Sequence, residues 1–359
     1  MELFEFKSAA EYEKAMLRRY ENISHFINNK SGTFKIVCNP KGVFYGNTVQ
    51  KMIGVKSGEK ILCQCVLIKH SWFDALTVGF FEAEENAGDA VRLMMERAAD
   101  FGRNNNAGRM IIAMDGHCNY GVGFLSGEPS AAPLFGESRN SDYYNAYFEN
   151  GYKKIRFSGY WGNFDDIYRD ARDYEKRIKK HTEDIQTQCA DFRQFNKEID
   201  RYTDLSNKIF DGHWYYYPRC YGEDIELFKT MKPLLSPCNL IFATKNGKDI
   251  GHILCYPDFN ELVPIGNGAG VGTFIKHKLL RRPIRTIKIA EIAVIPEYRS
   301  SGTIIKLFAE ACRQTKRHYS HVERVVSSWI MDDNTASKNI TTRFAPNLYG
   351  SYAAYEKEI

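Results

Sequence analysis

Charge of one sign, long apolar runs and paired metal ligands are what this 359-residue chain lacks. Lys and Arg number 49 against 44 Asp and Glu, a net charge of +5. So small an excess gives no ground for a nucleic-acid or membrane partner and leaves a mildly basic surface. No apolar run approaches the length of a membrane span. The nine cysteines are scattered and odd in number, with no CxxC pair among them. Cys63 and Cys65 would share a strand face, but no second pair of zinc ligands stands nearby. These absences predict reduced, mostly buried thiols, no metal and a cytoplasmic protein. The opening stretch MELFEFKSAAEYEKAMLRRYEN is charged and helical, unlike a signal peptide. Between residues 165 and 206 there is neither Gly nor Pro, and the charged composition predicts one or two long helices linking two halves.

What is present is richer. The length is long for one core and comfortable for two domains. Aromatics make up 14%, with 22 Tyr and 23 Phe, enough for well-filled cores and aromatic-lined clefts. Strands and helices alternate. Helix is predicted over 8–28, 89–103, 141–150 and 302–315, and the Val91, Met94, Met95, Ala98, Phe101 spacing marks the second of these. Strands are predicted at 33–38, 49–56, 60–69, 76–82, 109–114, 152–161, 239–244, 249–256, 287–295, 324–329 and 348–355. Asn246-Gly247 signals a hairpin, and 121–140, rich in Gly, Ser and Pro, a long loop.

The stretch 287–312, IKIAEIAVIPEYRSSGTIIKLFAEAC, reads as a buried strand, a polar turn and an amphipathic helix. Such a turn aims free backbone N–H groups at one spot, where an anion can sit. Overlaying the halves at an offset of 214 brings Gly88 onto Gly302 and repeats a strand–turn–helix–strand unit, the last strand opening with Arg109 or Arg324.

With these motifs the chain resembles the GCN5-related N-acetyltransferase (GNAT) superfamily, in tandem. EIAVIPEYRSSGTIIKLF resembles the family's pyrophosphate-binding turn, R/Q-x-x-G-x-G/A, with Arg299 and Gly302 matching and Ile304 standing where Gly or Ala is normal. WIMDDNTASKNI resembles the strand and Asn-led helix along the pantetheine arm, Asn334 being the match. GHILCYPDFNELV resembles a Pro-Asp-x-Asn segment of a bacterial tandem subfamily. In the first half Glu85 replaces the turn arginine, and Glu84, Glu85 and Asp89 oppose a pyrophosphate. AYFENGYKK nevertheless resembles the C-terminal Y-x-x-x-G-F signature, through Tyr147, Gly151 and Tyr152. The equivalent place near Thr341 has no tyrosine.

The resemblance implies an α/β fold of two tandem acyl-CoA N-acyltransferase (GNAT-like) domains, with mixed, mostly antiparallel sheets flanked by helices. The first domain would span 1–164, degenerate as a CoA site. The charged linker would be 165–206, and the CoA-binding domain 207–359. It implies acyl transfer from acetyl-CoA or another acyl-CoA to a small-molecule or peptide amine. Arg299, Ser300, Ser301, Gly302 and Thr303 would hold the pyrophosphate. Backbone groups of Ile292, Ala293 and Val294 would meet the pantetheine and thioester. Tyr147 would be a general acid or, read from its residues alone, a core aromatic.

Other residues stay open between two readings. Glu291, alone in an apolar strand, is either a general base with a pKa raised by partial burial or a carboxylate paired with Arg282 or Lys288. Asp258 and Asn260 face a substrate or form a turn after Pro257. Trp214, with Tyr215, Tyr216 and Tyr217 after His213, lines an acceptor pocket or fills a core. GNGAGVG at 266–272 lacks the Lys-Ser/Thr of a phosphate loop and reads as a flexible loop beside a cleft. Two further functions compete with acyl transfer from CoA. One is an aminoacyl-tRNA-dependent transferase of the peptidoglycan-bridge type, against which the balanced charge of 165–206 speaks. The other is a degenerate, non-catalytic binding protein.

Overall fold

The computed structural model describes residues 1–21, 23, 26–127, 133–137 and 140–359, so the predicted loop at 121–140 lies partly outside the described residues. The first half runs β1 Glu2–Glu5, α1 Ala9–Arg18, α2 Lys30–Val37, α3 Val43–Gly46, β2 Thr48–Ser57, β3 Lys60–His70, β4 Ala75–Ala83, α4 Gly88–Asn104, β5 Arg109–Ile112, β6 Phe124–Ser126 and β7 Lys153–Asn163. The second half opens with α5 Phe164–Ile178, β8 Ile185–Cys189, α6 Phe195–Ile209, α7 Tyr221–Met231, β9 Leu240–Lys245 and β10 Lys248–Pro257. The last part holds α8 Val271–Phe274, β11 Thr286–Val294, α9 Thr303–His318, β12 Arg324–Ser327, β13 Ile330–Met331, α10 Thr335–Phe344 and β14 Asn347–Glu358.

Local chemistry explains several of these. In α4 the residues picked out by spacing are all buried, with Asp89 in the first turn and Arg103 in the last, each suiting the helix dipole. Asn246 and Gly247 both take positive φ between β9 and β10, as a two-residue hairpin turn of type I′ requires.

One sheet runs through the molecule in the order β1-β2-β3-β4-β5-β14-β7-β12-β11-β10-β9-β8, with β6 and β13 pairing at its side. Among these pairings only β4–β5 and β11–β12 are parallel. The centre is an exchange: β14, from the chain's end, pairs with β5 of the first half, and β7, from the first half, pairs with β12 of the second. In the first half α4 covers one face and α1 and α2 the other. In the second, α5 and α9 cover one face and α6 and α7 the other.

Three sequence expectations change. Residues 33–37 are helical, in α2, with Cys38 at its C-cap, not a strand: the run Phe34 to Cys38 is too short for apolar content to separate the two, and the Asn28 side chain accepts from the Ser31 N–H to start a helix. The charged stretch 165–206 contains α5 and most of α6, but β8 between them pairs with β9 at the sheet edge. Its Ile-Gln-Thr-Gln-Cys alternation is a strand pattern that the surrounding charges hid. The helix expected over 8–28 ends at Arg18.

Candidate active site

The site begins where two strands part. β11 and β12 pair in parallel from Thr286 with Arg324 to Ile289 with Ser327 and no further. On the other side β10 places Leu254 opposite Glu291 and Cys255 opposite Ile289, so Ala290 bulges. Residues 289–292 are therefore only half-buried in a strand at the heart of the sheet. A cavity of about 1110 Å³ occupies the opening. Ile304, Ile305 and Phe308 of α9 and Ser337, Ile340 and Thr341 of α10 wall it on one side of the sheet. Tyr202, Trp214, Phe228, Met231 and Tyr256 wall it on the other, with segments 28–36 and 118–122 of the first half. The void thus passes the free edge of β11 from one face to the other.

Glu291 stands at that passage. His252 lies opposite Ala293, so the two side chains are diagonal neighbours on one face of the strand pair. His252 Nε2 contacts Glu291 Oε1. The Tyr202 and Ser206 hydroxyls donate to the same carboxylate, each at 3.3 Å. Burial pushes the Glu291 carboxyl up, but the hydrogen bond and charge of His252, with Arg219 and Tyr202, outweigh it and hold the group below the usual glutamate range. This reverses the raised pKa expected from burial. Neither Arg282 nor Lys288 pairs with it: Lys288 pairs with Glu137 at 3.0 Å. Arg219 is itself buried and paired with Asp224 at 2.6 Å. His252, Tyr202, Ser206 and Arg219 escaped sequence reasoning; the one legible signal was a histidine inside the apolar strand pattern of Gly251 to Tyr256.

Other candidates fall at graded distances from this centre. Ile292, Trp214 and Asn334 line the cavity, as do His213, Tyr215 and Tyr216, whereas Tyr217 sits in the core against Phe73 and His117. Asn334 caps α10, its side chain accepting from the Ser337 N–H at 3.1 Å. Ala293 and Val294 continue β11 and are buried. Arg299 and Ser300 are exposed on the turn before α9. The Arg299 guanidinium reaches the carbonyl of Ile209 at 3.3 Å. The Ser301 hydroxyl lies 2.6 Å from that of Thr303. Gly302 takes φ of +82°, open to glycine, and leaves the first N–H groups of α9 without intrahelical acceptors. These five do not line the cavity, but Ile304, the next residue, does.

Asp258 and Asn260 also stand off the cavity. Asp258 Oδ1 accepts from the N–H of Asn260, at 3.2 Å, and of Phe135, at 2.8 Å. The Asn260 amide donates to the carbonyl of Pro133 at 2.7 Å. They pin the segment 133–137 of the first half, whose Phe135, Gly136 and Glu137 close one side of the cavity. Burial pushes the Asp258 carboxyl up to about 7. A folded pKa above the unfolded value means that the native state binds more protons between them, so this group's contribution to stability falls as pH rises from about 4 to about 7. Asp258→Asn should flatten that part of the wild-type stability profile, measured by urea unfolding at stepped pH; an unchanged slope would refute it.

Tyr147 lies in the first half, away from this cavity. Its hydroxyl contacts the Glu84 carbonyl and accepts from the Ala87 N–H at 3.2 Å, closing the turn before α4. The first half repeats the strand geometry: β4 and β5 part after Val78 and Ile112, and a bulge at Phe80 (φ of +48°) and Phe81 precedes Glu82. Here, however, Phe81, Phe124, Tyr144, Phe148 and Tyr355 pack the region as core. Glu82 is buried with Lys30 and accepts from the Tyr20 and Tyr144 hydroxyls at 2.8 and 2.7 Å.

No family model matches the chain. Protein YghO of Escherichia coli (strain K12) is 24% identical over 229 residues, 60% of this chain and 57% of that protein. A bacterial ceramide synthase of Caulobacter vibrioides (strain NA1000 / CB15N) is 20% identical over 174 residues, 47% of this chain and 45% of that protein. The chain thus matches about half the length of these curated relatives. Among solved structures, a tandem GNAT protein from the clavulanic acid biosynthesis pathway superposes with a TM-score of 0.55 at 11% identity, over 99% of this chain and 98% of that one. At such identity the likeness carries the fold, and with the parted strands in each half it makes this chain a tandem GNAT-fold protein, its mixed, mostly antiparallel sheet flanked by helices.

Proposed function

We propose that the chain transfers an acyl group from a CoA thioester to an amine, with the second half binding the CoA and Glu291 as the base. The observation that carries this reading is a carboxylate, kept ionised, at the point where a through-sheet cavity passes the unpaired edge of β11. A pantetheine arm would lie between α9 and α10, beside Asn334, its amides and thioester carbonyl meeting backbone groups of Ile292, Ala293 and Val294. The pyrophosphate would sit on the turn of Arg299, Ser300, Ser301, Gly302 and Thr303. The acceptor would enter from the side of Trp214 and Tyr202. Glu291 takes a proton from the amine, directly or through water; the nitrogen attacks the thioester carbonyl, the C–S bond breaks and the thiolate leaves to be protonated. No covalent enzyme intermediate is needed.

Calorimetric titration with acetyl-CoA tests the base of the reading, and absence of heat together with an unchanged melting temperature would remove it. Arg299→Glu should weaken binding by about 10–100-fold, the loss of a charge-assisted contact plus repulsion. A finer reading makes the amine a long-chain one. The apolar walls and size of the cavity support it, as does the relative named a ceramide synthase, since ceramide is an N-acylated long-chain amino alcohol. A long-chain amino alcohol should then outcompete short polyamines as acceptor in a thiol-release assay.

A further inference from the structure

Averaged over the chain the charge is small, but it is not evenly spread. Residues 262–290 hold six Lys and Arg and no Asp or Glu. The same stretch presents Ile265, Val271, Ile275, Leu279 and Leu280 to solvent, five of the eleven exposed large apolar side chains among the described residues. Exposure reaches 77% at Val271 and 66% at Leu279. Scattered singly, such residues need no explanation; gathered within sixteen positions, they mark a contact surface.

The helical stretch from Val271 to Leu279 is held from its inner side. Thr273 is buried, and the His277 ring packs on Phe259 and Tyr319. The Lys276 ammonium donates to the Leu262 carbonyl at 2.8 Å, and that of Lys278 to the Leu235 carbonyl and Ser236 hydroxyl at 3.0 Å. Phe274 and these polar groups thus anchor the helix to the protein, while Val271, Ile275 and Leu279, four residues apart, form a second, outward apolar side that an ordinary surface helix lacks. Arg281 and Arg282 follow, exposed and without an ion-pair partner among the described residues, whereas Arg285 pairs with Glu323. Gly268, Ala269, Gly270, Val271 and Phe274 also line the large cavity, so this surface lies at its mouth.

We propose that residues 265–282 seat the protein on an anionic lipid bilayer. The aliphatic side chains enter the boundary between headgroups and acyl chains, and Arg281 and Arg282 meet lipid phosphates. A fluid apolar phase receives protruding aliphatic side chains without a matching pocket, and the lack of acidic residues suits a negative surface. The attachment is peripheral, as no described helix is long and apolar enough to cross a membrane. It departs from the expectation of no membrane partner because net charge averages away a local concentration. The inference does not rest on acyl transfer, and its test needs no acyl-CoA.

Sedimentation with vesicles of phosphatidylcholine, alone or doped with phosphatidylglycerol, tests it. The full chain should partition at least about tenfold more onto the anionic vesicles, and added salt should weaken the binding. Leu279→Asp with Leu280→Asp, and separately Arg281→Glu with Arg282→Glu, should each reduce the partition by at least about tenfold at an unchanged melting temperature. Equal partition on both vesicle types, or variants that bind like the wild type, would overturn it. So would light scattering that shows a dimer dispersed by the leucine variant, since the surface would then belong to a second copy of the chain.

Discussion

Replacing Glu291 with Gln should lower the turnover of acyl transfer by about 10²–10⁴-fold and leave the heat of acetyl-CoA binding unchanged. The side chain keeps its shape, so Tyr202 and Ser206 can still donate to its oxygen, but it can no longer take a proton. The base is ionised at rest. His252 and Arg219 hold its carboxyl below the usual glutamate range, so protonation of Glu291 contributes no acidic limb to kcat/KM near neutrality. A rise in rate near neutrality would follow the acceptor amine instead. His252 is a positioning residue: its ring is buried, and its Nδ1 meets no hydrogen-bond partner among the described residues. His252→Gln, which keeps a donor, should cost less turnover than Glu291→Gln and move any acidic limb upward, because the carboxylate loses its strongest stabiliser. Thiol release with a panel of amines reads these effects. A Glu291→Gln rate within about threefold of the wild type, well short of a base's contribution, would remove Glu291 as the base.

The second large effect concerns stability. Lys30→Met should cost about 3–5 kcal/mol, the range for removing one partner of a buried ion pair. Both side chains of the Lys30–Glu82 pair are almost fully buried. Without the ammonium, the carboxylate keeps, among the described residues, only the Tyr20 and Tyr144 hydroxyls, and Tyr20 loses the donor it accepts from at 2.7 Å. Adding Glu82→Gln should recover much of the loss, because a neutral amide is cheaper to bury than an unpaired charge. Urea unfolding of both singles and the double gives the coupling directly. A single-variant loss under about 1 kcal/mol would mean that water reaches the pair and that this half is less tightly filled than its packing indicates.

These two carboxylates are structural counterparts, each following a bulge in the strand that parts from its parallel neighbour. In one half the gap is a cavity; in the other, phenylalanine and tyrosine rings occupy it. The sequence overlay did not show this equivalence. It aligned turn with turn at Gly88 and Gly302, and at that offset Glu82 does not fall on Glu291. A bulge changes the count of residues between strand and turn, so the register of a strand is fixed by its partners and not by its own string.

What the sequence by itself determined is local. Strand 287–295, the turn, helix 302–315, the Asn246-Gly247 hairpin and the amphipathic α4 follow from periodicity and turn chemistry within a few residues, and they sufficed to suggest a repeated α/β unit. The tertiary structure decided the rest. It set β7 and β14 across the two halves, joined His252 and Tyr202 to Glu291 and kept Tyr147 away from them. It also turned Val271, Ile275 and Leu279 of the 271–279 helix outward. Each of these depends on contacts between residues tens to hundreds of positions apart, and burial, hydrogen bonding and charge at such a contact belong to the pair, so neither segment alone carries the signal.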